Sequence, residues 1–469
     1  MSYEAVTKYT EDGLVNPDAI YEEDSFAPVG KRDGWLATLL LFSLIFGPRA
    51  APSALLPPMR FADIIIILLL VSRWIKSSRL YGGFVFSYRN RIFSRFMLIM
   101  AFVLLFSTMI NIAGGQYQLF IKDFYQPIVF IRMIFIAAIM ASFNFGEKQI
   151  KQLATGLLII SLMSVILAFI QKFRYWYVSG LVERLYAIEW IRLETGGIGG
   201  RVVGTFGNPN LFGLCLVMLA VVSLAIAINM KGLIRLLAIG IFAGLGAAIP
   251  ITTGSRTAVI AFVMVTGILI LLSLRGRSRI PAAVFMILIL GAFVFVRTHL
   301  RELPLHPRTV EIIGGDEQTR TINEGLHARY LLWQGSLREA KQSIIWGVGM
   351  SKLGEQLTDN GYIITLLRTG IIGLGIYLLM LLSLFIRGIK ALHIEKRPFQ
   401  RTVLLMSFIV LINHMIFELT GDFFWSVQYS AIFAAFMGLL CSLSRQALDE
   451  NYYRGEDSYG GADEEEIAV

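Results

Sequence analysis

The chain has 469 residues, of which 56% are hydrophobic and 16% are charged, and its formal net charge is +9. So large an apolar fraction, gathered in long runs, exceeds what the core of a water-soluble protein requires. The composition therefore excludes an ordinary soluble domain and indicates an integral membrane protein. The basic charge does not indicate nucleic acid as a partner, because most of it lies in short loops between apolar runs, where it sets the orientation in the membrane.

Apolar runs predict the helices. A helix needs roughly 20 apolar residues to cross the hydrocarbon core, because lipid offers no partner for backbone N–H and C=O groups. About twelve segments fit this rule, the first of them short, so the chain is predicted to be an all-α, polytopic integral membrane protein. The predicted spans are 35–47, 61–75, 95–113, 126–143, 151–171, 209–229, 233–252, 257–274, 281–297, 361–386, 402–420 and 425–443.

Lysine and arginine concentrate in every second predicted loop, which marks the cytoplasmic side. Both termini are therefore predicted to be cytoplasmic, and the long loops 172–208 and 298–360 to be extracytoplasmic. The chain divides into a cytoplasmic segment at 1–34, a transmembrane domain at 35–443 and a cytoplasmic acidic tail at 444–469. The basic clusters lie at 73–95, 148–151, 231–235, 275–279 and 387–401.

Three predicted helices, beginning near Pro209, Arg256 and Gly361, start on the predicted outer face. Helix amino ends carry unpaired N–H groups and roughly half a positive charge, so three neighbouring ends would form an anion site. Capping residues are also what any helix starting on this face needs, so taken alone they are structural. The residues that suit these caps are Asn208, Ser255, Asp359 and Asn360.

Five arginines are predicted to lie near the same outer depth. Arg201, Arg256 and Arg329 lie in outer loops or at helix starts, and Arg132 and Arg368 lie a few residues inside the outer ends of their spans. An ionisable group inside the membrane costs a few kcal/mol and normally faces a protein interior or a wet cavity. The common depth predicts one outward-facing polar cavity, but Arg132 and Arg368 could equally extend to the membrane interface.

Residues 326–345 of the second long loop are predicted to form an amphipathic helix. Arg329 flanks its apolar stripe, so this arginine is directed at the cavity only if the stripe rests on the membrane domain. The predicted stripe consists of Leu326, Tyr330, Trp333, Leu337, Ala340 and Ile344.

Titratable residues inside the predicted spans give fewer indications of function. Cys215 and Cys441 both fall within predicted spans, so neither a disulfide framework nor a thiol-based metal site is expected. His414 and Glu418 are four residues apart on one helix face and are interpreted as a structural hydrogen-bonded pair. The outer loops show no metal-ligand cluster, so no metal and no cofactor are predicted.

Four motifs follow one another on the predicted outer side. They are R-V-V-G-T-F-G-N-P-N at 201–210, T-G-S-R-T-A at 253–258, Arg329 and Trp333 followed by G-V-G-M at 347–350, and D-N-G-Y at 359–362 followed by G-I-I-G at 370–373. In this order they resemble the superfamily of O-antigen ligases and of Wzy-type polymerases of O-antigen and exopolysaccharide. The resemblance covers residues 195–440 through its motifs.

The resemblance implies an enzyme that moves a sugar chain from undecaprenyl diphosphate to an acceptor hydroxyl on the outer face of the bacterial inner membrane. It implies a metal-independent, inverting reaction and a fold similar to membrane-embedded glycosyltransferases with lipid-linked donors (GT-C-like). Arg201 and Arg256 match positions that hold the diphosphate, with Arg329 as a third. The implied partners are the lipid-linked oligosaccharide, membrane lipids, a flippase and a chain-length regulator. The further candidate substrate-binding residues are Asn208, Asn210, Ser255, Asn360, Arg132 and Arg368.

One departure from the family pattern concerns Asp359, because ligases carry a histidine just before the asparagine at the start of the tenth span. The difference favours a polymerase. Asp359 is then either the general base that accepts the hydroxyl proton or a helix N-cap. The alternatives are ligase-type transfer to lipid A core or to a protein, and a polysaccharide transporter or flippase, which would place ionisable groups near the midplane.

The predicted orientation can be tested with reporter fusions. Fusions at Gly254 and Gly315 are expected to report the exterior, and fusions at Arg277 and Ile394 the cytoplasm, because lysine and arginine mark the inner loops. Alkaline phosphatase and green fluorescent protein read out the two sides. A cytoplasmic signal at Gly315 would overturn the orientation.

Overall fold

The computed structural model describes residues 32–48, 60–81, 91–114, 125–143, 145–173, 201–273, 317–350 and 359–460. These ranges contain twelve α-helices, with short π- and 3₁₀-helical turns at Ile249–Thr253, Lys341–Ser343 and Phe423–Trp425. The helices are α1 (Asp33–Phe46), α2 (Phe61–Tyr81), α3 (Arg91–Ala113), α4 (Tyr125–Ala141), α5 (Glu147–Phe173), α6 (Pro209–Asn229), α7 (Gly232–Ala248), α8 (Arg256–Ser273), α9 (Glu317–Ala340), α10 (Gly361–Ile394), α11 (Pro398–Phe417) and α12 (Val427–Gly460).

Eight of the described helices are long and apolar enough to cross a membrane, namely α3, α5, α6, α7, α8, α10, α11 and α12. The predicted all-helical, multi-pass membrane protein is therefore confirmed, whereas the number of about twelve spans stays a prediction. The apolar helices α1 and α4 are shorter than these eight. The predicted span at 281–297 lies outside the described residues, and α12 continues to Gly460, past its predicted end at residue 443.

Three helices form the interior of the bundle. In their apolar stretches 83% of the residues of α6, 72% of α11 and 94% of α12 are buried. Helix α11 packs against α6 and α8 on one side and against α10 and α12 on the other. The surrounding helices keep large apolar side chains such as Phe102, Met109 and Leu233 exposed, as a surface in contact with lipid requires.

One end of the bundle collects the starts of α6, α8 and α10, and we call it the site end. The Thr205 hydroxyl, before α6, donates a hydrogen bond to the Ile45 carbonyl in the last turn of α1 (2.6 Å). Gln428, in the first turn of α12, donates to the same carbonyl (3.3 Å), and Gln171 near the end of α5 accepts from the Gly204 N–H (3.0 Å). The described helices therefore alternate in direction, and α1 begins at the opposite end, where α12 also ends.

The alternation has one gap. Helices α8 and α10 both begin at the site end, and α9 contacts α10 there. Helix α8 is about 27 Å long at 1.5 Å per residue, and it ends at the opposite end of the bundle. The predicted span at 281–297 falls between α8 and α9, outside the described residues. Basic residues used to predict the orientation, such as Lys148, Lys231 and Arg397, lie at the opposite end.

Helix α10 is interrupted at Gly370, whose φ of 64° and ψ of −169° lie outside the helical region. An interruption frees backbone groups that lipid cannot satisfy. The backbone directly after α9 supplies their partners. The Gly349 N–H donates to the Arg368 carbonyl (2.9 Å), and the Ile371 N–H donates to the Ile344 carbonyl (2.9 Å). The break is thus paired on both sides.

The joint segment, residues 344–349, is held in turn by polar side chains of α3. The Ser107 hydroxyl and the Asn111 amide both donate to the Gly347 carbonyl, at 3.1 and 2.9 Å. Gly347 and Gly349 have φ values of 76° and 75°, which favour glycine. A Cβ on Gly347 would overlap the backbone of α10 at its break. The motifs G-V-G-M and G-I-I-G therefore have a shared structural cause.

The break can be tested by comparing two glycines of α10. Gly370→Ala is expected to destabilise the protein by about 2 kcal/mol or more, because its φ is positive and a Cβ would overlap the Ile345 carbonyl. Gly375→Ala has no heavy atom within 4 Å of the new methyl group and is expected to leave stability unchanged or raise it. Thermal unfolding midpoints in mild detergent compare them, and equal midpoints would contradict the break.

Candidate functional site

The start of α6 is built around Asn208 and Arg201. Asn208 is the N-cap, and its Oδ1 accepts hydrogen bonds from the N–H groups of Asn210 (2.8 Å) and Leu211 (3.4 Å). Arg201 is 8% exposed. Its Nε donates to the Thr253 carbonyl (2.6 Å) and its Nη2 to Oδ1 of Asn210 (2.7 Å). Arg201 therefore ties the start of α6 to the π-helical turn that ends α7.

Helix α8 begins directly beside α6. Ser255 caps it, since its hydroxyl oxygen accepts a hydrogen bond from the Ala258 N–H (3.3 Å). A Cβ added to Gly213 of α6 would lie 2.9 Å from Cβ of Ala258 and 3.3 Å from Cβ of Ser255, so only a glycine lets the two helices meet this closely. Arg256 is the half-buried first residue of α8. Two helix amino ends and an arginine thus meet in one place that suits an anion.

Asn360 caps α10. Its Oδ1 accepts from the Ile363 N–H (3.1 Å), and its Nδ2 donates to the Leu419 carbonyl (3.1 Å). The capping alternative for Asp359 is therefore wrong, because Asp359 lies one residue before the cap. The two residues have different partners, and Asp359 is available for another role.

Glu418 fixes the start of α10 to the loop after α11. Its backbone carbonyl accepts from the Gly361 N–H (2.8 Å), and its Oε1 accepts from the Phe424 N–H (2.7 Å). The side chain is fully buried, and a Cβ on Gly361 would overlap its Oε2. Burial raises the pKa of the Glu418 carboxyl well above its ordinary value, because the charged form would be desolvated. Glu418 is therefore a buried structural joint between the start of α10 and this loop.

The predicted hydrogen bond between His414 and Glu418 is not formed. The distance from Nδ1 of His414 to Oε1 of Glu418 is 3.7 Å. Nε2 of His414 lies 2.7 Å from the Tyr377 hydroxyl, within hydrogen-bond distance. The physical reason is that the carboxylate turns to the backbone of the following loop, which offers a better donor. Both residues are fully buried, as a structural role requires.

Asp359 is held by two side chains of α9. Its Oδ2 forms a salt bridge with Nε of Arg329 (2.8 Å), and its Oδ1 accepts a hydrogen bond from Nε1 of Trp333 (3.1 Å). The side chains of Arg329 and Asp359 are 37% and 33% exposed, so the pair is open to solvent. Trp333 and Arg329 therefore orient the carboxylate of Asp359 without burying it.

The face of α9 that packs against α10 includes Trp333 and Ala340 of the predicted stripe but not the rest of it. The helix runs over Glu317–Ala340 rather than 326–345, and Ser336 and Ala340 are buried against the bundle. Polar contacts set this rotation, because the bonds of Arg329 and Trp333 to Asp359 turn their side of α9 inward. Three residues of the predicted stripe are exposed, so the stripe rests on the bundle only in part. They are Tyr330, Leu337 and Ile344.

Arg368 lies over the ring of Trp425, with its guanidinium carbon 4.5 Å from the ring centroid. Its Nε is buried and forms no hydrogen bond with any residue that the structure describes. Asp422 interacts electrostatically with both Arg368 and Asp359, so these charges form one cluster. The indole Nε1 of Trp425 donates to Oγ1 of Thr365 (3.1 Å), which fixes the ring. Sequence reasoning missed Trp425, because its position at the start of the last span carried no motif.

Arg132 lies neither in the predicted polar cavity nor at the membrane interface. Its Nε forms a salt bridge with Oδ1 of Asp63 (2.7 Å), and its Nη1 donates to the Val427 carbonyl (3.0 Å). The arginine thus joins the starts of α2, α4 and α12. An acidic partner on α2 removed the need to extend to the membrane interface, and the sequence alone did not pair the two residues.

The candidate residues form two groups at the site end. Helix α11 contacts α6, α8 and α10, so it adjoins both. Among the described residues, no three His, Cys, Asp or Glu side chains are arranged to hold a metal ion. The α6–α8 group consists of Arg201, Asn208, Asn210, Ser255 and Arg256. The α10 group consists of Arg329, Asp359, Asn360 and Arg368 together with Trp333, Asp422 and Trp425.

The assignment of the helix cap can be tested on two neighbouring residues. Asn360→Ala is expected to lower the free energy of unfolding by about 1 kcal/mol or more, because α10 loses its cap. Asp359→Asn removes a partly exposed ion pair and is expected to cost less, at most about 1 kcal/mol. Chemical denaturation in detergent measures both. A larger loss for Asp359→Asn would reverse the assignment.

Residues 239–378 match the family model described as O-antigen ligase. No curated protein matches the chain. The matched region contains α8, α9, the joint segment and the broken first part of α10, and so most of the α10 group. Residues 239–378 are therefore similar to the O-antigen ligase family, in agreement with the resemblance that the motifs carry.

Proposed function

We propose that the protein polymerises undecaprenyl-diphosphate-linked oligosaccharide repeat units of an O-antigen or exopolysaccharide. It transfers the chain to an acceptor hydroxyl at the outer face of the bacterial inner membrane, with both termini in the cytoplasm. The observation that carries the proposal is the meeting, at one end of the bundle, of an arginine-rich pair of helix starts and an oriented, exposed carboxylate.

The α6–α8 group is the donor side in this proposal. A diphosphate leaving group gains negative charge as the glycosidic bond breaks, so cations and helix amino ends stabilise the transition state more than the ground state. Arg256, half-buried at the first position of α8, is placed for direct contact. Arg201 is already bonded to Asn210 and to the Thr253 carbonyl, so it also holds the two helix starts together.

The α10 group is the acceptor side. The acceptor hydroxyl oxygen attacks the anomeric carbon, the bond from that carbon to the diphosphate oxygen breaks, and the hydroxyl proton passes to the carboxylate of Asp359. Undecaprenyl diphosphate leaves, and the configuration inverts because attack and departure take place on opposite sides. Arg329 and Trp333 fix the direction of the carboxylate, which general base catalysis requires. The proposed reaction needs no metal ion.

Ligase-type transfer to lipid A core or to a protein is the second candidate, and the description of the matched family favours it. The aspartate at position 359, where ligases of the family carry a histidine, favours the polymerase. The two reactions share the donor side and differ in the acceptor. A flippase and a chain-length regulator of the same pathway are proposed partners of the polymerase.

Two substitutions test this proposal in cells that lack the chromosomal copy of the gene. Asp359→Asn is expected to slow transfer about a hundredfold or more, because the amide cannot accept a proton. Arg256→Ala is expected to abolish polymer, so that single lipid-linked repeat units accumulate. Gel analysis of the saccharide and mass spectrometry of the lipid-linked fraction measure both.

Arg235→Ala is the control, because it removes an exposed arginine at the opposite end of the bundle. All three variants should insert into the membrane in equal amounts. Polymer of normal length from Asp359→Asn would remove Asp359 as the base. Saccharide attached to lipid A core without any lengthening of lipid-linked chains would show that the protein is a ligase rather than a polymerase.

A further inference from the structure

The candidate arginines differ in the protein groups that their guanidinium groups bind. Arg201, Arg329 and Arg132 each donate hydrogen bonds to, or form ion pairs with, oxygens of the protein. Arg368 makes no such bond with its guanidinium to any described residue, and its Nε is buried. A buried guanidinium nitrogen without a hydrogen-bond acceptor is costly, so Nε calls for a partner that the described part of the protein does not supply.

Trp425 holds the Arg368 guanidinium without using its N–H groups. The indole ring attracts the cation, whose guanidinium carbon lies 4.5 Å from the ring centroid, and this attraction uses no oxygen or nitrogen acceptor. The ring cannot turn freely, because Nε1 donates to Thr365 (3.1 Å) and the Trp425 carbonyl accepts from Gln126 (3.3 Å). Trp425 therefore fixes the Arg368 guanidinium, while its N–H groups form no hydrogen bond with any described residue.

The backbone of Arg368 is fixed as well, because it lies two residues before the break in α10. Its carbonyl accepts from the Gly349 N–H (2.9 Å) and from the Ser107 hydroxyl (3.2 Å). On the far side of the break Ile371 is exposed, as is Ile345 of the joint segment. Arg368 is thus located between an apolar surface that suits lipid and the polar cluster around Asp359.

A planar, always charged fork at such a border suits an anion attached to a lipid. Phosphate oxygens bind the guanidinium in pairs, with stronger hydrogen bonds than neutral groups form. Asp422 is the nearest described countercharge, and its carboxylate is shared electrostatically with Asp359, so it offsets the charge of Arg368 only in part.

We propose that Arg368 binds phosphate oxygens of a lipid-linked phosphate and that Trp425 is its positioning residue. The proposed function identifies this lipid as undecaprenyl diphosphate, and the inference rests on the proposed function for that identity alone. The α10 group then binds the donor phosphate as well as the acceptor, from the side opposite to Arg256 across α11.

Binding of undecaprenyl diphosphate without sugar tests the proposal on full-length protein in phosphatidylcholine nanodiscs. Arg368→Gln is expected to raise the Kd about tenfold or more, the scale of losing hydrogen bonds to a charged group. Trp425→Leu is expected to raise the Kd by a smaller factor, and Trp425→Phe, which keeps an aromatic face, to restore most of the affinity. Arg387→Gln is the matched control, because Arg387 lies on α10 at the opposite end and bonds Ser444 there.

Four outcomes are distinguishable, with size-exclusion profiles and melting temperatures confirming that each variant is folded. A Kd for Arg368→Gln within twofold of the parent would sink the phosphate site, and an unchanged Kd for Trp425→Leu would sink the positioning role. Binding of phosphatidylglycerol as tight as that of undecaprenyl diphosphate, and equally dependent on Arg368, would keep the phosphate site but remove the donor. A parent protein that binds neither lipid nor inorganic pyrophosphate would overturn both this site and the proposed function.

Discussion

Lipid offers no hydrogen bonds, and the remaining architecture depends on that constraint. A straight span satisfies its own backbone, so backbone groups are left over only where helices end or break. In this protein those places lie together at the site end. Their partners come from neighbouring elements, as when Thr205 donates to the last turn of α1 and the joint segment pairs with the break in α10. The candidate functional residues belong to the same network, since Arg201 and Asn360 also bind backbone groups that have no partner within their own helices.

Helix α9 and the first part of α10 are bonded to each other at both ends and so form one packed unit. At one end Arg329 and Trp333 bind Asp359. At the other end the joint segment that continues α9 pairs with the backbone around Gly370. Residues 361–369 lie between these two attachments, so a displacement of α9 moves Asp359 and Arg368 together. The buried Glu418 adds a third attachment, to the loop that carries Trp425.

Much of the fold follows from local pattern, because a run of apolar residues has only one way to cross lipid. The same holds for the caps Asn208 and Ser255, whose partners lie within three residues. The pairings of Arg132 with Asp63 and of Arg368 with Trp425 join residues 69 and 57 positions apart, and no local pattern contains them. The apolar residues of α9 left open which of its faces rests on the bundle, and the two polar bonds to Asp359 identify that face. For Asp359 the sequence left the base and the cap as alternatives, because Asp and Asn suit the cap position equally well.

The two groups differ in the charges that they carry. The α6–α8 group has two arginines and no carboxylate, so it attracts an anion and has nothing to accept a proton. The α10 group has two arginines and two aspartates, so an incoming phosphate disturbs its balance by competing with Asp422 for Arg368. Asp422 also interacts electrostatically with Asp359, which Arg329 and Trp333 hold in place. In the proposed reaction a phosphate bound at Arg368 therefore changes the electrostatic potential at Asp359 through Asp422, without any contact between the phosphate and the carboxylate of Asp359.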